Sequence, residues 1–289
     1  MPPVTTATVL DGLAFPEGPR WHRGRLWFSD QHTGRVIARS PDGTLETVVE
    51  VENGPSGLGW LPDDTLLVVS MRDRRLLRLD GAALSEVADL SALAPFHCND
   101  MVVDAHGRAY VGNFGFDLDG GGTYAPTVLL RVDPDGTVAI AADDLAFPNG
   151  AVITPDGATL IIGETLGGRL TAFTITSDGS LTDRRLWADV TGAAPDGCCL
   201  DADGAIWVAD PMGRRVLRVL EGGEVTDTVT VGAPNSAYAC ALGGVDGNTL
   251  FVCTAPTSTP EAALAQMGGR IEVVDVAVPG AAVPGSAVS

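Results

Sequence analysis

The sequence has few of the features that mark membrane, disulfide-rich or zinc-finger proteins. No apolar run is long enough to span a bilayer, and no signal peptide is expected. The five cysteines are an odd number without a C-x-x-C pair, which argues against a disulfide framework and a thiolate zinc site. These absences favour buried free thiols and a reducing cytoplasm.

Positive charge is also scarce. Only 18 Lys and Arg stand against 37 Asp and Glu, so the formal net charge is −19. Such a surface repels phosphate backbones and anionic lipid, so we expect neither nucleic acid nor a membrane as a partner. The sequence also lacks the G-x-S-x-G, phosphate-loop and H-E-x-x-H motifs. A small-molecule substrate is the expected partner, and the oligomeric state is left open.

Helical periodicity is almost absent, and a β-rich repeat runs through the chain instead. Each copy has a small or polar opening, a short apolar strand, a turn that mostly contains glycine, and a second apolar strand. The copies start at 17, 56, 99, 149, 196 and 238, so the spacing is 39, 43, 50, 47 and 42 residues. This period, with several strands per unit, is typical of a β-propeller blade.

The repeat predicts an all-β fold, a six-bladed β-propeller with four-stranded antiparallel blades around a central channel. Residues 1–276 would form this single domain, and the strand near 5–13 would complete the last blade, because a lone edge strand is exposed to pairing with other chains. The Ala/Pro/Gly/Ser-rich segment 277–289 is predicted to be a loose tail. A pair of β-sandwiches is the alternative fold. Segments 91–97 and 260–267 could each form a short helix or a loop.

The first side chains of the repeats should meet at one mouth of the channel. They are Glu17, Ser56, Asn99, Asn149, Asp196 and Tyr238. Carboxylate and amide oxygens are ligands for hard divalent cations. In "FPEG", "FPNG" and "APDG", proline precedes and glycine follows the oxygen-bearing residue, and we attribute the glycine to a tight backbone turn. Any one such string is more often only a turn, but these three share one place in the repeat.

Taken together, "FPEGPRW", "NDMVVDAHGRAYVGN", "FPNGAVITPDG" and "PDGCCLDADGAIWVAD" resemble the SMP-30/gluconolactonase family, also called regucalcin-like or luciferin-regenerating-like. The resemblance covers essentially the whole chain. It implies a six-bladed propeller that holds one divalent cation and hydrolyses lactones. It places the cation on Glu17, Asn149 and Asp196, with Asn99 close to the metal or in contact with substrate.

Two positions depart from the sugar-lactonase pattern. His97 stands where those members have an arginine that binds substrate hydroxyls, and Asp117 aligns with a glutamate that contacts the sugar. Both are expected substrate-binding positions, and His97 is also a candidate acid or base. A rim histidine without a role is an equal interpretation of His97.

The expected chemistry is hydrolysis of a cyclic ester, because a divalent cation polarises a carbonyl oxygen and lowers the pKa of bound water. Asp196 is the expected general base or water-orienting group, with direct attack by its carboxylate as an alternative. Ca²⁺ is favoured, and Mg²⁺, Mn²⁺ and Zn²⁺ are alternatives. Two other functions stay open: a non-catalytic calcium-binding or interaction propeller, and a ring-opening or ring-closing reaction in biosynthesis.

Overall fold

The computed structural model describes residues 4–118 and 120–281, and within them the chain forms 25 strands and one short helix. The first two strands, which join later blades, are β1 (Val4–Thr5) and β2 (Ala7–Leu13). Blade 1 consists of β3 (Pro16–His22), β4 (Arg25–Asp30), β5 (Arg35–Arg39) and β6 (Leu45–Glu50). Blade 2 consists of β7 (Pro55–Trp60), β8 (Leu66–Ser70), β9 (Arg75–Asp80) and β10 (Ala83–Asp89).

The next three blades repeat this order. Blade 3 consists of β11 (Cys98–Val103), β12 (Ala109–Asn113), β13 (Thr127–Val132) and β14 (Val138–Leu145). Blade 4 consists of β15 (Pro148–Ile153), β16 (Thr159–Glu164), β17 (Arg169–Ile175) and β18 (Leu181–Asp189). Blade 5 consists of β19 (Cys198–Leu200), β20 (Ile206–Asp210), β21 (Arg215–Val219) and β22 (Val225–Thr230).

Blade 6 joins the two ends of the chain. It consists of β23 (Ser236–Gly243), β24 (Thr249–Ala255), β25 (Gly269–Asp275) and, as its outer strand, β2. β2 pairs antiparallel with β25, with Ala7 opposite Val273. β1 adds a short parallel fifth strand to blade 5 beside β22. The prediction of a six-bladed propeller is therefore confirmed.

The apolar core is divided among the blade interfaces. Six clusters of buried side chains lie between successive blades, one cluster at each interface. The cluster between blades 6 and 1 includes Phe251 and Ile271 on one side and Leu26 and Phe28 on the other. Because this last interface is packed like the others, the ring closes without an open edge. All five cysteines are free, and four of them are buried.

The two segments that were predicted to form either a short helix or a loop, 91–97 and 260–267, differ in the structure. Pro260–Gln266 forms helix α1, which has proline in its first turn and ends at Met267 in the left-handed conformation. Residues 91–97 form turns instead. Among the described residues, no helix has the length and apolar character needed to cross a membrane.

The beginning of the tail is held against blade 5. The N–H of Ala202 donates to the carbonyl of Pro279 at 2.8 Å, and the N–H of Ala281 donates to that of Leu200 at 3.0 Å. The first part of the predicted loose tail, up to Ala281, is thus hydrogen-bonded to the propeller. The remainder of the predicted tail, 282–289, lies outside the described residues.

Candidate functional site

The first strand of each blade is the inner one, and each inner strand packs against the inner strand of the next blade. In blades 1 to 4 the pairing of this strand shifts register near its start, for example between Glu17 and Arg20 and between Pro148 and Ala151. A β-bulge bends the strand and re-aims the side chain at that point. Asn99 and Asn149 lie within such a bulge, Glu17 is the paired residue at which the bulge of blade 1 begins, and Asp196 lies in the loop just before β19.

Two amide side chains are fixed in a hydrogen-bonded row across three blades. Ser56 donates its hydroxyl to Asn99 Oδ1 at 3.1 Å, and Asn99 Nδ2 donates to Asn149 Oδ1 at 2.9 Å. Asn149 Nδ2 in turn donates to the hydroxyl of Thr165 at 3.1 Å. Both amides are buried, so this row fixes the orientation of two oxygen-bearing side chains that are 50 residues apart in sequence.

The carboxyl groups of Glu17 and Asp196 interact electrostatically with each other, and Asp196 is hydrogen-bonded to Asn149 of this row. Burial raises the pKa of Glu17 to about 8; the Gly18 N–H opposes this, and the charge of Asp100 adds to it. Burial, followed by the charges of Glu17 and Asp100, raises the pKa of Asp196 well above its usual value, although a hydrogen bond from Asn149 opposes the shift. The structure therefore concentrates carboxyl groups beside two amide oxygens.

Arg20 is the positively charged neighbour of these groups. Its guanidinium donates to Asp100 Oδ1 and to the carbonyl of Met101, both at 2.7 Å, so it links blade 1 to blade 3. When all are ionised, the three carboxylates of Glu17, Asp100 and Asp196 carry an excess of two negative charges over Arg20. Our interpretation of the sequence did not include Arg20, although it lies only three residues after Glu17 in the first repeat.

The three glycines after the predicted ligands all lie close to the neighbouring blade, but they differ in backbone conformation. Gly18 has a positive φ of 55°, as expected for a tight turn. Gly150 and Gly197 are not in the positive-φ region. A Cβ at Gly150 would lie 2.5 Å from the carbonyl oxygen of Asp196, and a Cβ at Gly197 would lie 2.4 Å from the Cβ of Ala239. At these two positions glycine is needed because neighbouring inner strands approach closely, which corrects the turn explanation.

Aromatic side chains surround the same end of the inner strands. Phe147, directly before Pro148, has φ of 62°, a left-handed conformation that is unusual for a bulky residue and typical of functional sites. Its ring contacts Phe114, with centroids 4.7 Å apart. Phe15 occupies the matching position in blade 1 and lies edge-on to Tyr238 at 4.7 Å.

His97 belongs to this aromatic rim. Its ring stacks on Phe96 with centroids 4.0 Å apart and lies 6.0 Å from the ring of Phe114. The backbone carbonyl of His97 also accepts the N–H of Phe114 at 2.9 Å, which ties it to the loop after β12. His97 is half-buried two residues before Asn99, so it is placed at the edge of the polar cluster.

Asp117 lies further along that loop and has a different environment. It is exposed, and its Oδ1 accepts the N–H of Gly120 at 2.7 Å. Its carboxylate thus caps its own turn, whereas Glu17, Asn99, Asn149 and Asp196 are brought together.

The donor set suits a hard divalent cation. Among the described residues there is no group of three or more His, Cys, Asp and Glu side chains that could hold a metal. The cluster instead combines two carboxylates with two amides, and such all-oxygen sets are preferred by Ca²⁺ and Mg²⁺. The charge excess fits as well, because burial and then neighbouring negative charge raise the pKa values of Glu17 and Asp196, and a bound cation would stabilise both ionised carboxylates.

Fold and cluster together define a six-bladed propeller with an oxygen-lined acidic site where its inner strands begin. Residues 15–256 match the family model described as SMP-30/Gluconolactonase/LRE-like region, and the chain belongs to this family. It is similar to the pentonolactonase of Haloferax volcanii, with 29% identity over 261 residues, 87% of this chain and 86% of the relative.

Two further similarities extend over nearly the whole chain. The 6-deoxy-6-sulfogluconolactonase of Pseudomonas putida is 28% identical over 267 residues, 90% of this chain and 89% of the relative. A solved structure described as a calcium-binding protein, regucalcin, from Agrobacterium tumefaciens superposes with a TM-score of 0.79 at 22% identity, covering 97% of each chain. The family resemblance predicted from the sequence is confirmed, and the lactonase names of the curated relatives agree with the predicted enzyme class.

Proposed function

We propose that this protein is a divalent-cation-dependent lactonase that opens a cyclic ester at the Glu17/Asn149/Asp196 cluster. The observation that carries the proposal is the convergence, from separate blades, of two mutually repelling carboxyl groups and two fixed amide oxygens. Family membership supports hydrolysis of a lactone, since curated relatives are named for it.

In this proposal Glu17, Asn149 and Asp196 hold the cation, with Asn99 beside them. When bound, a divalent cation supplies positive charge that polarises an ester carbonyl and lowers the pKa of water. Ca²⁺ is the proposed ion because its coordination tolerates irregular oxygen sets, whereas Mg²⁺ requires near-ideal octahedral geometry. The description of one structural neighbour as a calcium-binding protein agrees with this choice.

The remaining chemistry is assigned to side chains of the chain. Asp196 removes a proton from water as the water oxygen attacks the lactone carbonyl carbon. The ring C–O bond then breaks, and the ring oxygen takes up the proton, which leaves a hydroxy acid. His97, at the rim, can donate a hydrogen bond to that oxygen. Asn99 and Asp117 are the proposed substrate contacts, Asn99 within the cluster and Asp117 on the adjoining loop.

The rim favours a lactone with an apolar portion. Where the sugar-lactonase pattern has an arginine, this chain has His97 packed beside Phe96 and Phe114. An imidazole beside two phenyl rings offers fewer hydrogen-bond donors to a polyhydroxylated ring than a guanidinium does.

Chelation and repletion of the purified protein, followed by a lactone panel, test the proposal. Treatment with EDTA should abolish hydrolysis, and added Ca²⁺ should restore it. The panel should contain aldonolactones beside aliphatic and aryl-substituted lactones, with ring opening followed by acid release. Undiminished hydrolysis after verified removal of metal would refute the cation dependence, and no turnover of any lactone would refute the activity.

A further inference from the structure

A buried carboxylate ends the second strand of three blades, and these are the blades that carry Glu17, Asn149 and Asp196. The carboxylates belong to Asp30 at the end of β4, Glu164 at the end of β16 and Asp210 at the end of β20. Each is fully buried, with 0% exposure. Each is also paired with an arginine five residues later, at 3.0 Å to Arg35, 2.7 Å to Arg169 and 2.8 Å to Arg215.

Each of these carboxylates holds the loop that leads into a predicted cation ligand. Asp30 Oδ1 accepts the N–H groups of Ala14 and Phe15 at 3.0 and 2.9 Å, directly ahead of Pro16-Glu17. Glu164 Oε2 accepts the N–H of Ala146 at 2.8 Å, three residues before Asn149. Hydrogen bonds to an ionised acceptor are short and strong, so they restrict the backbone of the loop.

Blade 5 repeats the arrangement with the same connections. Asp210 Oδ1 accepts the N–H of Ala194 at 3.1 Å, two residues before Asp196. It also accepts the N–H of Gly213 at 3.1 Å, so one carboxylate joins the loop before the inner strand to the loop after the second strand.

The three other blades show that the propeller does not require an acid at this position. Asp30 lies opposite Pro16 in the strand ladder, and the matching partners in blades 2, 3 and 6 are Ser70, Asn113 and Thr254. These residues are uncharged and buried, and their blades keep the same four-strand order. An acid therefore occupies this position in the three blades that carry Glu17, Asn149 and Asp196, and the four-strand blade forms without it in the other three. Asn99, in blade 3, is held by Ser56 and Asn149 instead.

We propose that Asp30, Glu164 and Asp210 are positioning residues that fix the three ligand loops in the geometry that binds the cation. This inference rests on the proposed function, because it assumes the cation site. The carboxylates act through the backbone and do not touch the ion. Partners that orient metal ligands in this way affect metal affinity even though they lie outside the coordination sphere.

A matched pair of substitutions in blade 5 tests the proposal. Asp210→Ser introduces the residue that blade 2 has at the same position. The control is Asp201→Ser at the opposite end of the same hairpin, where Asp201 is equally buried and 2.7 Å from Arg218. Calcium affinity is measured by calorimetric titration, and the melting temperature is measured in EDTA.

We expect Asp210→Ser to raise the Kd for Ca²⁺ by about ten- to a hundredfold. Asp201→Ser should change the Kd by no more than about twofold, because the site is at the other end of the strands. Both variants should lose thermal stability in EDTA, since each removes the buried carboxylate with which an arginine is paired. Asp210→Asn, which keeps an oxygen acceptor for the Ala194 N–H, should bind Ca²⁺ more tightly than Asp210→Ser.

Several outcomes would overturn the assignment. The positioning role would be refuted, with the cation site left intact, by an unchanged Kd for Ca²⁺ in Asp210→Ser or by an equal loss of Ca²⁺ affinity in Asp201→Ser. Weaker Ca²⁺ binding by Asp210→Asn than by Asp210→Ser would also refute it. If the wild-type protein itself binds no divalent cation, the proposed function fails first and the positioning role fails with it. Asp30→Ser provides the same measurement in blade 1 if Asp210→Ser does not fold.

Discussion

Replacing Asp196 with asparagine should have opposite effects on the metal-free and the calcium-bound protein. Asparagine has nearly the same shape, and its Oδ1 can still accept the hydrogen bond from Asn149. What changes is the charge. Without a cation, burial and the charge of Glu17 disfavour the ionised carboxylate, so the neutral amide should stabilise the metal-free fold.

The cost to calcium binding follows from the charges around the site. When ionised, as a bound cation would favour, Glu17, Asp100 and Asp196 carry three negative charges against one positive charge on Arg20, and this excess of two matches a divalent ion. Asparagine reduces the excess to one. Loss of one partner from a buried, hydrogen-bonded charge pair costs about 2–5 kcal/mol, and about 1.4 kcal/mol corresponds to a tenfold change in affinity. We therefore expect the Kd for Ca²⁺ to rise about 30-fold or more.

Thermal melts of wild type and Asp196→Asn, each in EDTA and in saturating Ca²⁺, provide the assay, with calorimetry for the Kd. The variant should melt higher than wild type in EDTA and gain less from Ca²⁺. Asp201→Asn, a buried arginine-paired aspartate at the far end of blade 5, is the control and should lower both melting temperatures equally. A lower melting temperature in EDTA together with an undiminished calcium shift in Asp196→Asn would refute the reasoning.

Three further outcomes are expected. His97→Ala should change the ratio of kcat/KM values between sugar and apolar lactones while the calorimetric Kd for Ca²⁺ stays unchanged; a shifted Kd with constant preference would contradict a substrate-facing role. In EDTA, Glu17→Gln should gain stability relative to wild type as the pH rises from 5 to 9. The folded pKa of Glu17, about 8, exceeds its ordinary 4.5, so the folded state of wild type loses stability as this proton is released, and a difference in urea midpoints that is flat with pH would contradict the raised pKa. Gly150→Ala places a methyl group 2.5 Å from the Asp196 carbonyl and should destabilise the fold by about 1–3 kcal/mol, whereas Gly232→Ala, with no atom within 4 Å, should not; equal melting temperatures for the two would contradict the close-approach explanation.

The architecture could be predicted from the sequence because each blade is one local pattern repeated. The polar opening, the apolar strand and the turn recur at a nearly constant interval, and a closed ring is the arrangement that leaves no blade with an exposed edge. The convergence of Glu17, Asn149 and Asp196 followed from the same regularity, since equivalent positions of a ring lie near one axis.

Contacts between blades were not predictable in this way. The reason for glycine at 150 and 197 is the backbone of the next blade, which no local pattern reveals. Arg20 reaches Asp100 across 80 residues of sequence, and the exposure of Asp117 depends on the path of its loop. Each of these features depends on distances that the repeat alone does not specify.

A signal for the ligand loops was nevertheless present in the sequence. "DQHTGR" from Asp30, "ETLGGR" from Glu164 and "DPMGRR" from Asp210 each place an acid five residues before an arginine at the end of the second strand. In the structure this spacing places the pair on the turn between the second and third strands, where the carboxylate reaches back to the loop ahead of the inner strand. The blade that begins at Ser56 has Ser70 there, and its first side chain donates a hydrogen bond to Asn99. A repeat that is uniform in its strands therefore differs between blades at two linked positions, the ligand and the group that holds its loop. Positions at which the blades differ together in this way are candidates for the cation site, whereas positions that are alike in all blades stabilise the propeller.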